Sequence, residues 1–87
     1  MSKFNIGDRV KIIDSGKKYS TYVEWFTKNA PELAGYYRFD SSAELYEEYE
    51  IRRIAPHLEC ENITLYAIQN PKTHYVYLIG EEGIEKV

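Results

Sequence analysis

The last third of the chain constrains the fold most, because two β-rich runs lie there on either side of a tight turn. The runs are residues 63–69 (ITLYAIQ) and 75–79 (YVYLI), and the five residues between them include Asn70 and Pro71. Asparagine followed by proline is typical of a type I turn, since the proline ring presets φ and the asparagine side chain can bond the backbone beyond it. The pattern predicts an antiparallel hairpin that the rest of the chain covers.

Two further segments carry strand patterns, and a third closes the chain. Residues 4–14 alternate Val10 and Ile12 with charged neighbours, which predicts a strand with one apolar face. Residues 49–55 have the β-branched content of a strand, and residues 84–87 follow a glycine-bounded turn. We therefore expect five or six short strands.

A helical segment is predicted after the first strand. Thr21 is followed three residues later by glutamate, a capping-box spacing that predicts a helix over residues 22–28, ending before Pro31. Ser41 has the same spacing and predicts a second short, acidic helix. Together these signals predict a helical insertion at about residues 20–48.

The two ends of the chain resemble those of SH3-like domains. GDRV at residues 7–10 resembles the first strand of KOW-type and related SH3-like barrels, and residues 77–87 (YLIGEEGIEKV) are similar to their final pair of strands. The resemblance implies a mostly β (α+β) fold in a single domain over residues 1–87. We expect a small SH3-like antiparallel barrel of five to six short strands with a short helical insertion after the first strand. The whole sequence also resembles small uncharacterised phage and prophage proteins of Gram-positive bacteria, which implies a phage-type binding role and carries over no catalytic residue.

The chain is rich in aromatic residues, with nine Tyr, three Phe and one Trp in 87. Period-two alternation in the predicted hairpin separates an aliphatic face from a tyrosine face. The aliphatic face, which we expect to fill the barrel, holds Leu65, Ala67, Val76 and Leu78, and the tyrosine face, which we expect to point outward, holds Tyr66, Tyr75 and Tyr77. An outward apolar band is either covered, here by the inserted helix, or binds something. The residues alone leave both interpretations open.

The middle of the chain is acidic. Residues 31–60 carry three basic and seven acidic side chains, and the net charge of the whole chain is −3. The carboxylates of Glu44, Glu47 and Glu48 form either a solvated helix face or a docking surface for a basic partner. The leading hypothesis is a non-enzymatic binding module that recognises a protein partner through the tyrosine face and these carboxylates. An uncovered apolar face also leaves a homodimer open.

The alternative hypothesis is a weak nucleic-acid or nucleotide binder. Residues 1–30 carry six basic and three acidic side chains. Cations there would hold phosphates while a ring stacks on an unpaired base, a role assigned to Arg9, Lys11, Lys17, Lys18 and Tyr19. The net charge of −3 opposes this hypothesis, because binding to polyanions exploits an excess of Lys and Arg.

No catalytic or metal site is indicated by the sequence. His57 and Cys60 supply two ligands, whereas zinc requires four protein ligands or three plus water. Glu81 lies in a predicted turn, where we expect a solvated carboxylate with an ordinary pKa. We predict that the protein is not an enzyme and has no metal or cofactor. The single Cys fits a reducing compartment, and no segment approaches the roughly 20 apolar residues of a membrane span, so we expect a cytoplasmic protein without a membrane partner.

Overall fold

The computed structural model describes residues 3–14, 23–37 and 47–87. In these residues five strands form a single sheet, and one α-helix follows the first strand. The strands are β1 Arg9–Ile12, β2 Glu48–Pro56, β3 Thr64–Gln69, β4 Val76–Gly80 and β5 Ile84–Lys86. The helix α1 is Val23–Asn29, a 3₁₀ turn follows it at Pro31–Tyr36, and a second 3₁₀ turn at Glu81–Gly83 joins β4 to β5.

The sheet has the strand order β4-β3-β2-β1-β5, and every neighbouring pair of strands is antiparallel. The first strand in the chain therefore lies between the last strand and β2, and β2 to β4 form a meander. The mostly β prediction and the helix after the first strand are confirmed. Because β4 and β5 are the two edges of the sheet and do not pair, the predicted barrel is not closed. The predicted second helix at Ser41 lies outside the described residues.

The hairpin between β3 and β4 forms as its turn residues predict. The side-chain oxygen of Asn70 accepts hydrogen bonds from the backbone N–H groups of Lys72 and Thr73, at 2.8 and 3.2 Å. The backbone N–H of Asn70 donates to the carbonyl of Tyr75 at 2.9 Å, which closes the loop. Asn70 thus satisfies the turn internally, as expected for an asparagine at this position.

Both faces of the hairpin are buried, but the faces are reversed relative to the prediction. The aliphatic face packs against residues of α1 and of the segment that follows it: Trp25, Phe26, Ala30, Leu33 and Tyr37. The tyrosine face fills the core on the opposite side of the sheet, together with residues from β1, β2 and β5. The expectation that the tyrosines point outward is therefore wrong. Period-two alternation determines which residues share a face, but it does not determine which element covers that face.

Helix α1 is attached to the sheet by its aromatic residues. Trp25 and Phe26 are fully buried, and the Trp25 indole N–H donates to the carbonyl of Pro56 at the end of β2, at 3.1 Å. An ion pair between Glu32 and Arg53 joins the 3₁₀ turn to β2. The helix ends just before Pro31, as the sequence predicts, because the residue before a proline is disfavoured in the helical region.

A register shift between Ile51 and Arg53 interrupts the pairing of β2 with β3. Such a bulge bends a strand and re-aims the side chains that follow it. Beyond the bulge, Arg53 forms an ion pair with Glu32 on the helix side of the sheet. Within the bulge, the guanidinium of Arg52 donates to the side-chain oxygen of Gln69. The bulge therefore separates the half of β2 that supports α1 from the half that pairs with β1.

Candidate functional site

The half of the sheet away from α1 presents alternating charges. One core contains four buried side chains from β1 and β2: Val10, Ile12, Tyr49 and Ile51. The residues that alternate with them along these strands face the other side of the sheet. These residues are partly or fully exposed, and with one residue from β5 they form what we call the charged strip: Arg9, Lys11, Glu48, Glu50 and Glu85.

Cross-strand ion pairs order the charged strip. The Arg9 guanidinium lies 4.0 Å from a carboxylate oxygen of Glu48, and Lys11 Nζ lies 3.6 Å from a carboxylate oxygen of Glu85. The register places Lys11 directly opposite both Glu48 and Glu85, so positive and negative groups alternate across the three strands. Exposed pairs of this kind contribute about 0–1 kcal/mol each to stability, so their main effect is on the pattern of charge at the surface.

A polar pocket of about 400 Å³ lies at one end of the charged strip, lined by Arg9, Glu47, Glu48, Asn70, Pro71 and Lys72. Asn70 is only 5% exposed, and its amide nitrogen donates to a carboxylate oxygen of Glu47 at 2.7 Å. The hairpin turn therefore holds the Glu47 carboxylate in a fixed position. Two of the predicted acidic residues and one predicted cation meet in this pocket, although the sequence hypotheses assigned them to different surfaces.

The predicted tyrosine surface is not exposed. Tyr66 and Tyr77 are 0% and 4% exposed, and Tyr75 is half-buried against the same core. The rings of Tyr49 and Tyr77 meet edge to face with centroids 5.9 Å apart, which is a packing contact. Tyr66 and Tyr77 therefore contribute stability to the sheet and offer almost no area to a partner.

A hydrogen-bonded group surrounds the hydroxyl of the buried Tyr66, a feature that sequence reasoning missed. This hydroxyl donates to a carboxylate oxygen of Glu81 at 2.8 Å. The backbone N–H of Lys3 donates to the same oxygen at 2.7 Å and lies 3.2 Å from the Tyr66 oxygen. The contact between Tyr66 and Glu81 joins β3 to the turn before β5, so no local sequence pattern reveals it.

The environment shifts the pKa values of both side chains in this group. Burial, reinforced by the Glu81 carboxylate, raises the pKa of Tyr66 to about 12. Burial alone would raise the pKa of Glu81, but hydrogen bonds from the Tyr66 hydroxyl and the Lys3 amide, with nearby positive charge, lower it below its ordinary value. The expectation of an ordinary Glu81 pKa is therefore wrong, because the folded chain brings two donors to one carboxylate oxygen.

His57 and Cys60 lie in the loop between β2 and β3. The imidazole Nδ1 accepts a hydrogen bond from the backbone N–H of Glu59 at 3.1 Å, and the thiol of Cys60 is exposed. Within the described residues, no group of three or more His, Cys, Asp or Glu side chains is arranged to hold a metal ion. In the same part of the chain, no helix is long and apolar enough to cross a membrane.

Four of the predicted site residues, Glu44, Lys17, Lys18 and Tyr19, lie outside the described residues. Of the predicted residues, the charged strip and its pocket therefore contain Arg9, Lys11, Glu47 and Glu48. Asn70, Lys72, Glu50 and Glu85 complete them. Comparison of the chain with protein-family models, with curated proteins and with solved structures found no significant match.

Proposed function

We propose that this protein is a non-enzymatic binding module that recognises a protein partner through the charged strip and its polar pocket. The observation that carries the proposal is the ordered alternation of charge on β1, β2 and β5, fixed by the pairs Arg9–Glu48 and Lys11–Glu85. Alternating charges fit a partner surface that carries the complementary pattern of both signs. Such complementarity contributes specificity and fixes the register of a complex.

The same pairs weigh against nucleic acid as the partner. Arg9 and Lys11 each lie within 4.0 Å of a carboxylate, so a phosphate would have to compete with an existing ion pair. Glu47 adds a further carboxylate beside Arg9 in the polar pocket. Binding to a polyanion draws its free energy from surplus cations that release condensed counterions. Protein is therefore the class of partner that the described surface favours.

We extend the proposal to the fold and the setting that the resemblance implies. The placement of β1 between β5 and β2, the meander that follows, and the 3₁₀ turn before β5 support an open SH3-like sheet. The setting that we propose is phage-type, with a cytoplasmic bacterial protein as the partner. A second copy of the chain is an alternative occupant of the same strip.

The proposal is tested by photo-crosslinking from the charged strip in a bacterial lysate. A photoreactive residue replaces Val87, an exposed and uncharged residue beside Arg9 at the edge of the charged strip, and the crosslinked proteins are identified by mass spectrometry with Arg9→Glu, Glu48→Arg and the double exchange of these two residues. The double exchange keeps an ion pair between the two strands but reverses its direction. We expect one reproducible partner, lost in both single variants and also in the double exchange.

Two controls make the outcome specific. Glu61→Lys alters an exposed charge in the loop between β2 and β3, and it should leave the partner unchanged. Circular dichroism verifies that every variant is folded. Recovery of the same partner by the folded double exchange would contradict recognition by the charge pattern. Binding to single-stranded nucleic acid with a steep salt dependence would support the alternative hypothesis instead.

A further inference from the structure

The chain before β1 crosses one end of the core that contains the tyrosine face. Phe4 is buried in this core, and its ring lies edge to face with the Tyr66 ring at a centroid distance of 5.5 Å. The preceding residue, Lys3, donates its backbone N–H to Glu81 in the turn between β4 and β5. The segment thus connects the residues before β1 to the turn between β4 and β5.

The segment is anchored to the sheet at a turn that follows Phe4. The N–H of Gly7 donates to the carbonyl of Ile51 at 2.8 Å, and the N–H of Ile51 donates to the carbonyl of Asp8 at 3.0 Å. Asn5 and Asp8 close the turn, with the Asn5 N–H donating to the Asp8 carboxylate at 3.0 Å. Gly7 has a φ of 96°, a left-handed conformation in which the chain reverses direction. The residues before this turn lie on the core through Phe4 and the hydrogen bonds of Lys3.

We propose that residues 3–6 form a strap that Glu81 latches over the core, with its hinge at Gly7 and Asp8, and that protonation of the Glu81 carboxylate releases the strap. The latch is one carboxylate oxygen that accepts from both the Lys3 amide and the Tyr66 hydroxyl. Hydrogen bonds to an ionised acceptor are roughly twice as strong as those between neutral groups. Removal of the charge therefore weakens both bonds together, while the anchors at Gly7 and Asp8 remain.

Other charged groups around Glu81 define how the latch responds to pH. Lys3 faces it from the strap and Tyr66 from β3, while Glu82 lies on the same turn and Glu85 and Lys86 lie on β5. Lys86 is itself within 3.8 Å of the Asp8 carboxylate at the hinge. Because the pKa of Glu81 is lowered on folding, the latch is complete above the unfolded value, near 4.5, and is lost as pH falls through the folded value.

The proposal is tested by amide NMR on the whole chain between about pH 7 and pH 2.5. We expect the order parameters of Lys3 and Phe4 to fall from about 0.85 to below about 0.6 as the latch opens. The amides of Val10 and Ile51 should retain their order, which separates release of the strap from global unfolding. The Lys3 amide proton should shift with the same midpoint, because it donates directly to the titrating carboxylate.

Two matched variants complete the test. Glu81→Gln keeps the shape of the side chain and removes its charge, so Lys3 and Phe4 should be mobile already at pH 7 and show no transition. Glu82→Gln removes the neighbouring carboxylate and should behave like the wild type. Wild-type order at Lys3 and Phe4 in Glu81→Gln would overturn the proposal. Loss of order at Lys3 and Val10 with a single midpoint would overturn it equally.

Discussion

Two glycines differ in the backbone conformation that they adopt, and this difference is testable residue by residue. Gly7 has a φ of 96°, whereas the φ of Gly35 lies outside the left-handed region, and an added Cβ meets nothing within 4 Å at either position. The effect of alanine should therefore come from the backbone alone. We expect Gly7→Ala to lower the free energy of unfolding by about 1–2 kcal/mol and Gly35→Ala to raise it by about 0.4–1 kcal/mol. Urea denaturation measures both, and equal stability of the two variants would contradict the assignment.

His74 is the non-glycine residue with a positive φ, 66°, among the described residues. Its backbone N–H donates to the carbonyl of Asn70, and its carbonyl accepts from the Gln69 side chain, so the conformation is held by bonds that glycine retains. We expect His74→Gly to raise the free energy of unfolding by about 0.5–1 kcal/mol, because glycine adopts this region without steric cost. Lys72→Gly, in the same turn, should lower it by a similar amount. A destabilised His74→Gly would show that the imidazole makes a contribution larger than the backbone strain.

At the scale of the element, Trp25 is one of two aromatic side chains that attach α1 to the sheet. Trp25 is buried and donates to the Pro56 carbonyl at 3.1 Å. Trp25→Phe removes this bond, leaves the carbonyl without its indole donor and opens space beneath the helix. We expect a loss of about 1–3 kcal/mol in the free energy of unfolding. Because the chain has one Trp, the measurement uses circular dichroism rather than fluorescence.

The control for this prediction lies two residues earlier in the same helix. Val23 is 42% exposed, so Val23→Ala should change the free energy of unfolding by less than about 0.5 kcal/mol. Equal losses in Val23→Ala and Trp25→Phe would contradict this prediction, because an exposed side chain would then contribute as much as the buried indole.

Local signals located the elements but could not orient them. The helix predicted over residues 22–28 is observed at Val23–Asn29, because Pro31 sets its end and the aromatic spacing sets its buried side. The hairpin strands also lie close to their predicted positions, because Asn70 and Pro71 specify the turn between them. The partner of each hairpin face was predicted wrongly. That choice depends on where a distant helix packs, which alternation along a strand does not encode.

At the scale of the whole molecule, half of the candidate site follows from sequence and half from strand pairing. Glu47, Glu48 and Arg9 were predicted as binding residues from charge alone. Their convergence depends on the register of β1 with β2, in which Lys11 lies opposite Glu48. Asn70, which fixes the Glu47 carboxylate, is 23 residues away from it in the chain, and its predicted role was limited to the turn. A net charge of −3 likewise gives no indication that a strip of alternating charges exists.

The buried Tyr66 hydroxyl couples the stability of the whole molecule to alkaline pH. Burial and the Glu81 carboxylate raise the pKa of Tyr66 to about 12, whereas the phenol of an unfolded chain titrates near 10. The unfolded chain therefore loses this proton at lower pH than the folded chain does. The stabilisation is fully present below about pH 10 and is lost as pH rises through about 12.

We expect the ionisation of Tyr66 to lower the free energy of unfolding by on the order of 1–3 kcal/mol as the pH rises from about 10 to about 12. Tyr66→Phe cannot titrate, so its stability should fall less steeply with pH than that of the wild type, even though it starts from a lower value. Tyr36→Phe, which removes the hydroxyl of a side chain that is 49% exposed, controls for the loss of one phenol. Urea denaturation at several pH values measures the slopes. Because every other group that titrates in this range is common to Tyr66→Phe and the wild type, parallel curves for these two proteins would show that this hydroxyl is not buried against the Glu81 carboxylate.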